Sequence, residues 1–299
     1  MRILRFAAVA GLAFAWLGIV FKGRDATVIG AVIYYATPWL LRLLAAVVAL
    51  VVLRHWGFRL MAAACVLVSA MEGWHSFRRD ELPAVAAGDL RASIYNAGRT
   101  LETNPATWAA LADTDVMAVV ESGEFTAESW QRFAAATPGM EWKRFGGTML
   151  GVRGKILSSE SLGLHDLYRC YRCQVSLPVQ GEFPVVIIDI RSEPWLSKEQ
   201  AMAGILRAAA GDPRVIVLGD FNTPPESCWY RDWRPALSLA NDGPRRGFRE
   251  TWAFGLPLLT LDQIWTGSRW QAAGVEHIRH RSDHSQVKVI LQPRTPGQS

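Results

Sequence analysis

In this 299-residue chain several apolar segments stop on a polar residue. Ile94-Tyr95-Asn96 ends on an amide, Ala118-Val119-Val120-Glu121 on a carboxylate, and Val217-Leu218-Gly219-Asp220-Phe221-Asn222 on an Asp-x-Asn pair. Asp262 stands inside an apolar stretch, and Ser282-Asp283-His284 precedes another. Carboxylates with amide oxygens make a hard, oxygen-rich site that suits Mg2+ or Mn2+ rather than zinc. A His beside such a group serves as acid, base or electrostatic stabiliser in phosphoryl transfer. Each residue alone has a plainer explanation. A strand-end Asn is usually a turn former, a strand-end Glu is usually solvated, and Asp220 to Pro225 also reads as an Asx turn closed by two prolines. Their joint occurrence favours one shared site, because strands of a packed α/β domain deliver their ends to a common rim.

Short apolar runs bounded by turn residues predict strands over Leu90–Asn96, Val116–Glu121, Thr148–Val152, Cys173–Leu177, Val185–Ile190, Val215–Asp220, Leu261–Trp265 and Val287–Leu291. Helix signals fall between them. Asn104-Pro105 opens one helix with a capping residue and a Pro at its first position, and Thr126 to Ala136 forms another. Ser197-Lys198-Glu199-Gln200 has the capping-box pattern ahead of Ala201–Ala209. Many strands with few intervening helices predict an α/β domain of two packed β-sheets flanked by helices, not one doubly wound sheet.

These motifs resemble the endonuclease/exonuclease/phosphatase superfamily of DNase I-like metal-dependent phosphoesterases over about Leu90 to Leu291. Gly219-Asp220-Phe221-Asn222 and Ser282-Asp283-His284 are the most specific part of the likeness. The resemblance implies a four-layer α/β sandwich that binds Mg2+, with Mn2+ as the other fitting ion. It implies Glu121 as main metal ligand, with Asn96 beside it and Asp283 assisting. Asp220 would orient or deprotonate the attacking water, Asn222 would hold a phosphate oxygen, and His284 would act as the catalytic His steered by Asp262. There are two departures. Arg191 stands where many family members have a phosphate-contacting His, and it would serve as a substrate-binding group able to donate bidentately without releasing a proton. Gly98 occupies a position often acidic in the nuclease branch. They keep open a binding or scaffold protein that retains the fold with impaired catalysis, and a nuclease is the third reading.

The segment ahead of this domain is apolar. Ile3 to Phe21 is long enough to cross ~30 Å of hydrocarbon as a helix. Further runs cover about Pro38 to Leu53 and Phe58 to Trp74, and Arg42 is placed to reach the interface near the start of the second. Ala26 to Thr37 either lengthens that span or lies on the surface. A cleaved signal peptide is the alternative for the first run, but no clear small-x-small cleavage site precedes Lys22. The expected organisation is a membrane anchor of about three transmembrane helices at 1–74, a linker at 75–88, the phosphoesterase-like domain at 89–293 and a disordered tail at 294–299. Three spans before the domain further resemble the bacterial membrane-anchored members of the family, in the inner membrane.

Charge follows the same division. Arg2, Arg5, Lys22, Arg24, Arg42, Arg54 and Arg59 against Asp25 and Glu72 account for the whole net charge of +5, so the remainder is electroneutral. Placing Arg2, Arg5, Arg54 and Arg59 in the cytoplasm puts the domain on the periplasmic or exterior face, with Lys22 and Arg24 against the rule. A neutral domain makes no strong case for nucleic acid, whose affinity comes from neutralising phosphates. The expected partners are the lipid bilayer and a phosphate-ester substrate, which tethering suggests is lipid-linked. Arg245, Arg246 and Arg249 form a cluster able to gather phosphates. Cys170-Tyr171-Arg172-Cys173 lacks a second pair for zinc, although a disulfide among Cys170, Cys173 and Cys228 is open. His277 and His280 read as solvated surface, and Trp229, Trp233 and Trp252 as core.

Overall fold

The computed structural model describes residues 1–164, 168–193 and 195–294, so nearly all of the expected tail lies outside the described residues. Four helices come first: α1 (Arg2–Phe21), α2 (Val28–Ala36), α3 (Trp39–Val52) and α4 (Trp56–Ser76). By length and composition α1 and α4 are candidate membrane spans, and α2 with α3 forms a third candidate bent by 69°. The bend falls at Thr37-Pro38. Proline disfavours helical geometry in the residue before it and has no N–H, so α2 stops and α3 begins. Residues 26–37 therefore do not extend the second span in line; they form a separate short helix capped by the Thr27 hydroxyl, which accepts from Gly30 N at 3.1 Å. Small residues seat the bundle, with Ala8, Ala15, Ala46, Ala49 and Ala62 buried together. Arg42 does not reach outward. It is buried and hydrogen-bonded to Glu72 of α4, which also meets Lys22 at 3.1 Å.

The remainder runs β1 (Arg78–Arg79), β2 (Leu90–Asn96), α5 (Pro105–Ala112), β3 (Val116–Val120), α6 (Ala127–Ala136), β4 (Glu141–Phe145), β5 (Thr148–Val152), β6 (Lys155–Ser161), β7 (Arg169–Leu177) and β8 (Gly181–Asp189). It continues with α7 (Glu199–Ala209), β9 (Ile216–Asp220), β10 (Ser238–Leu239), β11 (Arg246–Gly247), β12 (Asp262–Thr266), β13 (Trp270–Arg279) and β14 (Ser285–Pro293). Two six-stranded sheets, ordered β13-β14-β2-β3-β5-β4 and β10-β12-β9-β8-β7-β6, pack face to face. Ile94, Val116, Leu150, Val175, Val185, Leu218, Ile264 and Val287 fill the space between them. The outer faces carry α5 and α6 over Met117 and Val119, and α7 over Val186 and Val217. This is the four-layer arrangement of two sheets flanked by helices.

Register decides where the polar strand ends meet. β2 and β3 are parallel with Asn96 opposite Val120, and β8 and β9 are parallel with Asp189 opposite Asp220. β12 runs antiparallel to β9 with Asp262 opposite Asp220, and β14 runs antiparallel to β2 from Val287 opposite Ile94. The C-terminal ends of four strands and the starts of two others thus share one edge of the sandwich.

The helices and the domain are interlocked, and the start of the expected linker is itself ordered. β1 pairs with β11, Phe77 packs on Phe248 at 4.9 Å, and Trp39 donates to Glu250 at 2.9 Å. Arg245 is buried. Its guanidinium donates to the Ser76 carbonyl at 2.7 Å and to the His75 carbonyl at 3.4 Å, closing the C-terminus of α4 where a cation is favoured. Arg249 pairs with Glu226 and with Asp242 at 2.9 Å. The arginine cluster expected to collect phosphate is committed to this joint through Arg245 and Arg249. The four cysteines are free, and Cys170 and Cys173 bury on opposite faces of β7.

Candidate active site

Asn96, Glu121, Asp220, Asn222, Asp283 and His284 line one open cavity of about 420 Å³ at this edge. Asp262 lies directly behind it. The His284 Nδ1–H donates to Asp262 Oδ2 at 2.7 Å, and both side chains are buried. Burial opposes a charge on the imidazole, but the adjacent Asp262 carboxylate outweighs it and raises the His284 pKa to about 10. The ring is therefore an imidazolium at neutral pH. Asp262 Oδ1 is buried and has no hydrogen-bond partner among the described residues.

Asp220 is the most heavily restrained carboxylate. It accepts Asn96 Nδ2 at 2.8 Å, the Asn222 backbone N–H at 2.8 Å and Asn222 Nδ2 at 3.2 Å. Burial and the nearby Asp262 push its pKa up to about 7, against the pull of His284 and its hydrogen bonds. Gly219 exists for closeness: a Cβ there would stand 1.9 Å from the Ile188 carbonyl oxygen, so β9 can approach β8 only with glycine. Glu121 and Asn222 have left-handed backbones, with φ of 46° and 44°, at the residues that leave β3 and β9. Asn tolerates this region; for Glu it is strained, which is typical of groups fixed for a function.

The expected metal ligands differ in how free they are. The Glu121 carboxylate is one-third exposed to the cavity and is held loosely, by Arg99 at 3.4 Å and by the Asn96 amide at 3.5 Å. Asp283 keeps Oδ2 on the Trp252 indole N–H at 2.8 Å, with Oδ1 only 3.4 Å from the Ser282 hydroxyl. Asn96 turns its NH2 toward Asp220 and Glu121 while its Oδ1 accepts the Gly98 N–H at 2.9 Å, so it orients Asp220. Glu121 and Asp283 offer the hard oxygens that a divalent cation requires. Donor atoms of Asp220, Asp262 and His284 also fall within 4.8 Å of one another, but the His284–Asp262 hydrogen bond occupies Nδ1 and makes this group a charge pair first.

Arg191 is not among the cavity residues; it chelates Glu193 through Nε at 2.9 and 3.0 Å and is half exposed, while its neighbour Ser192 lines the cavity. Gly98 has φ +52°, with a Cβ position 3.3 Å from Ser282 Oγ, and these suit glycine. Trp252 belongs to the cavity wall and not to the core, whereas Trp233 is core. His277 and His280 are partly buried, not solvated. Burial and Arg245 lower the His277 pKa to about 4, and His280 Nε2 bonds Gln286 at 2.7 Å.

Two contributors carried no sequence signal. Tyr35 of α2 lines the cavity. Lys198, at the cap position of α7 where Ser197 was expected, is 3% exposed and hydrogen-bonds the Asn222 carbonyl and, at 2.8 Å, Thr223 Oγ1. Burial lowers its pKa to about 8, against the pull of Asp220, Asp25 and Glu193. A lone Lys in a helix-start motif gives no hint that it supports a loop 24 residues away.

Solved structures share the fold. An endonuclease/exonuclease/phosphatase from Bacteroides vulgatus aligns with a TM-score of 0.53 at 14% identity, covering 69% of this chain and 99% of that one. A functionally unknown conserved protein from Enterococcus faecalis aligns at 0.52 and 12%, covering 69% and 100%. The 3′ phosphatase NExo from Neisseria, bound to a product DNA hairpin, aligns at 0.51 and 15%, covering 69% and 100%. No curated protein matches the chain. Residues 76–284 match the Endonuclease/Exonuclease/phosphatase family, and with that match the chain belongs to this family of metal-dependent phosphoester hydrolases.

Proposed function

We propose that the chain is a membrane-anchored, Mg2+-dependent phosphoesterase with an extracytoplasmic pocket that takes a membrane-associated phosphate ester. The observation that carries this reading is the Asn96–Asp220 and Asp262–His284 pair of hydrogen bonds, at 2.8 and 2.7 Å, meeting in one cavity with Glu121. Asp220, aimed by Asn96 and Asn222, holds the attacking water and takes its proton. His284 stays charged against Asp262 and faces the oxygens on which negative charge grows, while the Asn222 amide, which donates to the Ile190 carbonyl at 2.8 Å and to Asp220 at 3.2 Å, fixes Asp220. Glu121 and Asp283 would hold the cation, which neutralises phosphoryl charge when bound. Arg191, freed from Glu193, would add a donor at the rim.

Orientation is supported by Arg2, Arg5, Arg54 and Arg59 at the ends away from the domain. Of the two charges on the other side, Lys22 is offset by its 3.1 Å contact with Glu72. The electroneutral domain weighs against a nuclease, although the Neisseria neighbour binds DNA. The test is the full chain in detergent with Mg2+ and a panel of phosphomonoesters and phosphodiesters. We expect phosphate-ester cleavage that chelation abolishes and that Glu121→Ala and His284→Ala each reduce at least a hundredfold. A wild type inert on the whole panel, indistinguishable from both variants, would install the scaffold reading instead.

A further inference from the structure

The phosphoesterase domain does not build its pocket alone. Tyr35, from α2, lines the cavity beside Asp220, Asn222 and His284. It is fixed there: its hydroxyl donates to Asp25 at 2.6 Å, Asp25 in turn accepts the Cys228 N–H at 3.0 Å, and Lys198 stands 5.6 Å over its ring. Connectivity then constrains the pocket. α2 lies between α1 and α3, and the 69° bend into α3 holds it at the level where those helices end on the domain side.

The outer face of α2 is apolar and uncovered. Val28 and Val32 are exposed, and Ile29 is 69% exposed. Across the cavity, the loop that follows the wall residue Trp252 presents Phe254, 72% exposed, and Leu256. Trp195 is exposed too, in a groove shared with Val28 and Tyr35. Other large exposed apolar side chains of the domain among the described residues, such as Val85, Leu157 and Val179, line neither the cavity nor the groove beside it. Isolated ones need no explanation, whereas a group around one opening marks a surface that meets something apolar.

We propose that this collar seats the pocket mouth in the headgroup layer of the same membrane that holds α1, α3 and α4. The substrate is then a bilayer-resident phosphate ester whose hydrocarbon tail stays in the leaflet while its phosphate enters the cavity, a substrate class that rests on the phosphoesterase reading of this site. Bilayer contact follows from the position of α2 between two spans, and apolar side chains at that depth are stabilised by removal from water.

The direct test needs no turnover. Nitroxides are placed at Ile29→Cys, Leu256→Cys and Val179→Cys in the full chain carrying Cys228→Ser, reconstituted in phosphatidylcholine–phosphatidylglycerol vesicles. Val179 lies in the β7–β8 turn, at the far end of β8 from the site. Relaxation by lipid-soluble oxygen relative to an aqueous nickel chelate should be several-fold greater at 29 and 256 than at 179. If position 256 is as aqueous as 179, the collar is refuted whether or not the protein is an enzyme. The second measurement compares long-chain phosphatidic acid and phosphatidylglycerol in vesicles with their water-soluble dihexanoyl forms. Preference for the long-chain partner supports the proposal, and preference for the soluble form overturns it. Failure on all four lipids, with cleavage retained on small esters, refutes the lipid substrate; failure on everything refutes the phosphoesterase reading, with the nitroxide result still deciding the collar.

Discussion

At the residue scale the site turns on His284, kept charged by Asp262 against burial, and on Asp220, whose pKa is raised first by burial. With a pKa near 10 against 6.5 for the free side chain, His284 contributes stability that is fully present below about pH 6.5 and declines as pH rises through 10. His284→Gln should flatten that alkaline loss, which denaturant titrations across pH 6–10.5 will show; an unchanged slope would mean His284 is neutral. Asp220 runs the other way in consequence. Its raised pKa disfavours the ionised form, and only that form accepts a proton from water, so kcat/KM in limiting cation should rise with pH through about 7. Saturating Mg2+ should move that limb to lower pH, because the cation favours carboxylate ionisation. Glu121 carries backbone strain and repels the neighbouring Asp189, whose pKa is raised to about 6 by burial first, with Glu121 contributing. Glu121→Asn should therefore abolish hydrolysis while raising stability by about 0.5–1 kcal/mol, seen as a higher Tm. A fall in both would show that Glu121 is structural.

At the element scale, what was legible in the sequence follows packing. β2 and β5 match their expected bounds, and β3, β9 and β12 are within one residue, because nearly every position in these strands is buried and their apolar residues stand out between turn residues. β4 and β6 were invisible: they are exposed edge strands of polar residues such as Glu141-Trp142-Lys143-Arg144 and Ser158-Ser159-Glu160, held by their neighbours. Positions in the Gly-Asp-Phe-Asn segment were legible as chemistry, but the steric role of its glycine was not. Gly219→Ala should force β8 and β9 apart and cost about 3 kcal/mol, with lost hydrolysis, whereas Gly146→Ala, in open space, should cost less. Lys198 works through an element in the same sense. Lys198→Met should lower kcat through a loosened Asn222 loop with little change in KM, and a KM effect alone would place it on the substrate side.

At the scale of the whole molecule, the sequence separates a charged apolar N-terminal segment from a neutral domain, and the folded chain joins them. Nothing in the composition reveals the joint, because Arg245, Glu226 and Glu250 look like surface charge until their partners on the helices, Ser76, Tyr34 and Trp39, are seen. Arg245 is the position where the two halves depend on each other most directly. It satisfies carbonyls that α4 leaves unpaired at its end, and at Ser76 both the guanidinium and its partner residue are buried. Arg245→Met keeps the apolar stem and removes the donors, so the last turn of α4 should fray at a cost of about 2–3 kcal/mol. Because α4 packs on α3 and α1, and α2 follows from α1, that loss should reach Tyr35 as well. Hydrogen exchange in detergent should show faster exchange at residues 70–80 and 28–36 together, with protection in β2, β3 and β9 unchanged. Exchange that rises only at 70–80 would mean that α2 is held to the pocket by Asp25 and Cys228 independently of the bundle, and that the domain positions this apolar helix itself.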